Sequence, residues 1–271
     1  MGKTRAAICP IRRAAHTLVH DEGGYERGRD GAGRADEMLT IAHRGASARY
    51  PENTLRAFIA AADLGADMCE FDVRMTRDGE VVVIHDATVN RTTDGRGRVA
   101  EMDAAEVGRL DAGVRFGAEF RGERIPTLAQ VAVALAARGC GMDVELKARG
   151  VEARVCEILR KSGAAECAVV SSFDWPQLRL VAAEHPGARL VLLGEKDAAA
   201  LLKAAAEMRA FAIAPRFDIA DAHLCAAAHR AGLAVYAWTV DDAAGMRRLI
   251  AAGVDGIMTN DPRILRALLD G

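Results

Sequence analysis

From Leu39 onward the chain repeats one unit, a short apolar run followed by a stretch with helical period. Strand signals fall at 39–43, 68–75, 80–85, 142–146, 167–172, 189–193, 211–214, 234–239 and 256–259. Helical stretches fall between them, at 54–64, 128–138, 150–161, 175–184, 197–208, 220–230, 242–251 and 262–269. In the first helix, Leu55, Phe58, Ile59 and Ala62 form the apolar stripe and Asn53 reads as the N-cap. The run at 80–85 is a return strand, because Asp78-Gly79 separates it from its predecessor. The other eight strands are each followed by a helix. Strand–helix alternation builds a parallel sheet, and eight such units close into an α/β fold of the TIM-type (β/α)8 barrel class. An open doubly wound sheet is the alternative, but no Gly-x-Gly-x-x-Gly follows the first strand.

Two segments break the rhythm. Residues 88–124 are rich in Gly, Arg, Asp and Glu and have no long apolar period. They are expected to form a small insertion after the Asp-Gly hairpin, lying over the strand ends, with one short helix near 103–110. Residues 1–37 carry scattered glycines and mixed charges and are expected to be a flexible N-terminal extension. On this reading 38–271 is the catalytic barrel, and Met38 is a candidate true start.

A net charge of -2 gives no nucleic-acid footprint. No apolar run approaches the roughly 20 residues that span a bilayer, so no stable membrane insertion is expected. The six cysteines form no C-x-x-C pair, which argues against a zinc ribbon. Their scatter suits small buried side chains in a reducing, cytoplasmic setting.

The ionisable residues are densest between Ile41 and Asp86. His43-Arg44-Gly45, Glu70-Phe71-Asp72 and His85-Asp86 each end a strand signal. With Asp78-Gly79 as a two-residue turn, Asp72 is expected to face His85 across the hairpin, with Cβ atoms about 5 Å apart. Glu70 shares the face of Asp72, because strand side chains alternate. Further on, Asp143, Glu145 and Lys147 alternate along one strand and share a face, while Val144 and Leu146 point to the helices. Barrel chemistry sits at the C-terminal strand ends, where Ser171, Ser172 and Trp238 also fall.

Glu70, Asp72 and Glu145 offer all-oxygen ligation, suited to one divalent metal ion, Mg2+ or Ca2+, rather than zinc. Two histidines beside such a cluster can serve as general acid and base. Arg44 and Lys147 supply charge for phosphate oxygens. The residues therefore point to metal-assisted hydrolysis of a phosphodiester or phosphomonoester.

HRGASARYPENT, EFDVRMTRDGEVVVIHD, NRTTDGRG, DVELK, AWTV and GVDGIMTNDP closely resemble, in order, the glycerophosphodiester phosphodiesterase family. The resemblance implies hydrolysis of a small-molecule glycerophosphodiester to sn-glycerol 3-phosphate and an alcohol, in lipid and glycerol metabolism. It places the metal ligands on Glu70, Asp72 and Glu145 and the acid/base pair on His43 and His85. Arg44 and Lys147 become phosphate contacts, Trp238 a wall for the glycerol moiety, and Glu52 support for the first loop. Two rivals stay open at this point. One is a phospholipase C- or D-like enzyme on intact lipid, and the other is a barrel that binds glycerophosphodiesters without cleaving them.

Overall fold

The computed structural model describes residues 38–271. The expected extension over 1–37, with Cys9, lies outside them. Eight parallel strands close into a barrel: β1 (Leu39–His43), β2 (Met68–Met75), β4 (Gly141–Leu146), β5 (Ala168–Ser172), β6 (Arg189–Gly194), β7 (Ala212–Pro215), β8 (Ala234–Ala237) and β9 (Gly256–Thr259). Pairing of β1 with both β9 and β2 completes the closure. β3 (Val81–Val83) runs antiparallel on the upper part of β2.

A helix follows each barrel strand. Aspartates cap four of them: Asp197, Asp221, Asp242 and Asp261 each accept a backbone N–H from the first turn. Thr127 caps Leu128–Ala136 in a reciprocal box with Gln130. Among the described residues, no helix is long and apolar enough to cross a membrane.

Strand alternation produces two cores. Residues such as Phe71, Val73, Met142, Val144 and Leu146 point outward and pack under the helices. Ile41, Met68, Val169, Val191 and Met258 point inward and fill the lower barrel. Ala212, Ala214 and Ala234 leave room there for the fully buried Tyr236. Gly256 is required beside it, since a Cβ there would come within 2.9 Å of the Tyr236 ring. Above this plug the inward positions turn polar, so the core ends where the chemistry begins.

Three details differ from the sequence reading. First, the hairpin register is shifted by one residue. Arg74 pairs with Val82 and Val73 with Val83, so Asp72 lies opposite Ile84 and not opposite His85. The loop has three residues, closed by Thr76 N–H donating to Glu80 O at 2.9 Å, with Gly79 at φ 86°. Thr76 favours it by donating its hydroxyl to Asp78 while accepting from the Glu80 N–H. Second, β3 ends at Val83, so His85 stands past the ladder on a loop. Third, Thr54 and not Asn53 caps Leu55–Asp63, its side chain accepting from Ala57 N–H. Asn53 takes a left-handed conformation and turns inward instead.

The insertion has a small core of its own. Val89, Val99, Val107, Ala112 and Ile125 pack on Val82 and Ile84 of the hairpin. It also reaches the first helix, where Arg56 lies over Phe120 and pairs with Glu123. Its short helix, Ala104–Val107, is capped by Asp103.

Candidate active site

The parallel register assembles the site. β1 on β2 sets His43 beside Glu70, and β2 on β4 sets Asp72 beside Glu145. Glu70, Asp72 and Glu145 are all buried, and each offers an oxygen within 4.8 Å of the others. Three anions this close repel one another and lose hydration, a costly arrangement without a cation. Burial first, then the charges of Asp72, Glu145 and Asp143, push the Glu70 carboxyl well above its usual range. Burial first, then Asp72, raises Glu145 to about 7 despite Lys147. For Asp72 burial pushes upward too, but Arg44, followed by Lys147, outweighs it and holds the group below the ordinary carboxylate range.

Two cations flank the cluster. Arg44 Nε is 3.2 Å from Asp72 Oδ2, and Lys147 Nζ is 3.3 Å from Asp72 Oδ1 and 2.5 Å from Glu145 Oε1. Arg44 takes φ 56°, beside a Gly45 where a Cβ would come within 2.7 Å of the Ala57 backbone. The tight HRG turn thus lets the first helix approach the site. Glu52 accepts from Arg44 at 3.0 Å.

The metal hypothesis can be tested on this donor set. Glu70 Oε1 is buried and receives no hydrogen bond, and it stands in an all-carboxylate group. An unpaired buried carboxylate oxygen is costly, and a hard divalent cation satisfies it. The residues present therefore fit a divalent ion.

The two histidines are held differently. His43 Nδ1 is 2.8 Å from Asn260 Oδ1, and Asn260 Nδ2 donates to Asp241 at 2.6 Å. Ser47 Oγ also donates to Asn260 Oδ1. An amide oxygen fixes the proton on Nδ1 and leaves Nε2, 3.9 Å from Glu70 Oε2, facing the site. Burial first, then Arg44, holds the His43 pKa below its usual value. His85 Nδ1 is instead 2.7 Å from the Asp86 carboxylate, which Arg91 engages in turn. Both histidines lie within electrostatic reach of Asp72.

Trp238 sits at the barrel mouth, its indole N–H donating to Ala214 O at 2.7 Å. Phe173 stands edge-on to it at 5.3 Å and lies beneath Lys147 Nζ. Every site residue expected from sequence thus lies at this end of the barrel. Sequence reasoning missed the supports. Asn53 Nδ2 donates to Asp72 at 2.8 Å. Arg74 donates to the backbone carbonyls of His85 and Lys147, stitching two loops together. Asn260 and Arg91 lie inside quoted motifs, NDP and NRTTDGRG, but nothing in their spacing reveals what they touch.

A barrel whose mouth holds a carboxylate cluster, two cations and two imidazoles defines a hydrolase for anionic esters, with proton donors and acceptors already in place. Residues 43–264 match the glycerophosphoryl diester phosphodiesterase family, and the chain belongs to it. It is similar to a glycerophosphodiester phosphodiesterase of Caldanaerobacter subterraneus, 39% identical over 234 residues, 84% of this chain and 96% of that protein. A Bacillus subtilis glycerophosphodiester phosphodiesterase is 30% identical over 258 residues, 87% of this chain and 88% of that one. Among solved structures, an Oleispira antarctica phosphodiesterase in complex with the product sn-glycerol-3-phosphate superposes with TM-score 0.82 at 28% identity, over 88% of this chain and 98% of that one. An Agrobacterium tumefaciens glycerophosphodiester phosphodiesterase gives 0.77 at 31% identity, over 85% and 99%.

Proposed function

We propose that the protein hydrolyses glycerophosphodiesters to sn-glycerol 3-phosphate and an alcohol, with His43 and His85 as the acid/base pair. The observation that carries this reading is the paired arrangement of two oriented imidazoles at one buried carboxylate–cation cluster. Glu70, Asp72 and Glu145 would hold one divalent ion, Mg2+ or Ca2+, which when bound supplies positive charge against a phosphoryl oxygen. Arg44 and Lys147 bind and orient the remaining phosphate oxygens. Trp238, with Phe173, packs against the carbon skeleton of the glycerol moiety. Glu52 keeps Arg44 in position.

The partners of the histidines divide the proton work. His43, largely buried and hydrogen-bonded to a neutral amide, is the base: its free Nε2 takes the proton from the water that forms the new bond to phosphorus. His85, whose Nδ1 is held by the Asp86 carboxylate, is the acid. It gives its proton to the alkoxide as the phosphorus–oxygen bond breaks. A cytoplasmic location fits the free thiols of Cys69, Cys140, Cys156 and Cys225.

Incubation with glycerophosphocholine and added Mg2+ should release sn-glycerol 3-phosphate, and a chelator should stop it. Binding without release would point to a sensor. Cleavage of phosphatidylcholine vesicles but not of glycerophosphocholine would point to a phospholipase. Either result would sink the proposal.

A further inference from the structure

The insertion carries one residue that touches both the loop after His43 and the loop that holds His85. Arg91 Nε and NH2 engage the two oxygens of Asp86 at 2.8 and 3.1 Å. Its NH1 and NH2 donate to the two oxygens of Glu52 at 2.7 and 2.8 Å. Glu52 belongs to the loop that follows His43, and Asp86 holds His85 Nδ1 at 2.7 Å. One planar guanidinium thus bridges the loop after β1 to the loop after β3. Hydrogen bonding to Arg91 is the leading reason the Asp86 carboxyl lies far below its ordinary range.

We propose that Arg91 is a positioning residue: anchored on Glu52, it fixes Asp86 and through it the orientation of His85. This rests on the reading of His85 as the acid. A plain structural rivet is the competing role, but the side chain of Arg91 is 47% exposed. Ion pairs that exposed contribute little to stability. Their geometry still matters, because a small misplacement of a catalytic group lowers turnover steeply. Lysine cannot replace it, since a single ammonium does not fork onto two carboxylates.

The test is a double-mutant cycle on kcat with Arg91→Ala, Asp86→Asn and the double variant, with His85→Ala as reference and glycerophosphocholine as substrate. Arg91→Ala should lower kcat roughly 10–100-fold, the range for lost supporting partners of a site histidine. It should lower the melting temperature little. Adding Arg91→Ala to Asp86→Asn should cost far less than adding it to the wild type. Arg91→Lys should recover only part of the loss. The loss should also shrink on an aryl ester of glycerol phosphate, whose leaving phenolate needs no proton, as no purely structural defect would do. Additive losses, equal losses on both substrates, or wild-type turnover in Arg91→Ala would overturn the inference. If His85→Ala itself turns over normally, the acid assignment fails instead.

Discussion

His43 and His85 stand at the same barrel mouth but are supported in opposite ways. His43 sits on a strand end, is largely buried, and is fixed by the neutral amide of Asn260. His85 sits on a loop, is one-third exposed, and is fixed by the Asp86 carboxylate. The barrel itself builds the first arm, since Asn260 follows β9 and β9 pairs with β1. The second arm depends on the hairpin and on Arg91 from the insertion. On the proposed assignment, one fold poises two identical side chains for opposite proton transfers through what touches their Nδ1 atoms.

The largest expected effect comes from removing either imidazole. His43→Ala and His85→Ala should each lower kcat on glycerophosphodiesters roughly 10²–10⁴-fold. Near-normal turnover in either variant would break the pairing.

A swap sharpens the comparison. Asn260→Asp would give His43 the carboxylate partner that His85 already has. A carboxylate beside an imidazole favours the charged form and raises its pKa. In the wild type the acid limb of kcat/KM should lie below the ordinary histidine value, because His43 is held low. In Asn260→Asp that limb should move to higher pH, which a pH–rate series reads directly. An unmoved limb would remove His43 from the base role.

Metal affinity should depend on pH in a fixed direction. With Glu145 titrating at about 7 and Glu70 well above its usual range, a divalent ion must displace protons to bind. Affinity for Mg2+, measured by calorimetry, should fall as pH drops below neutrality, by roughly tenfold per pH unit for each proton displaced. A pH-independent affinity would place the ion elsewhere.

The smallest effect is on stability. Glu145 and Asp143 both have folded-state values raised to about 7, by burial first. Their contribution is fully present below their ordinary values and is lost as pH rises through 7. The chelated protein should therefore melt a few degrees lower at mildly alkaline pH than at mildly acidic pH, and added divalent ion should reverse the loss. Carboxyls held low, such as Asp86 and Glu52, act below that window. A chelated melting temperature that rises with pH would contradict the assignment.

Much of this was legible in the chain because strand periodicity is local. Alternation put Glu70 with Asp72 and Glu145 with Lys147 on inner faces, and the structure places them there. Counting strands led to the closed barrel. What failed was finer than that. Asp-Gly suggested a two-residue turn, but Thr76 hydrogen bonds select a three-residue loop and shift every pair by one. His85 reaches the site from beyond the ladder rather than by facing Asp72. Asn53 looked like a cap because Asn is a good one, yet Thr54 beside it is as good, and Asn53 was free to hold Asp72. Asn260 lies 217 residues from His43, and no short-range pattern could join them.

The division of labour between the histidines is best tested by leaving-group dependence. Turnover of glycerophosphocholine is compared with that of an aryl ester of glycerol phosphate for wild type, His43→Ala and His85→Ala. Loss of the acid should be largely forgiven on the aryl ester, while loss of the base should be equally severe on both substrates. Equal losses in both variants, or recovery in His43→Ala instead, would contradict the account.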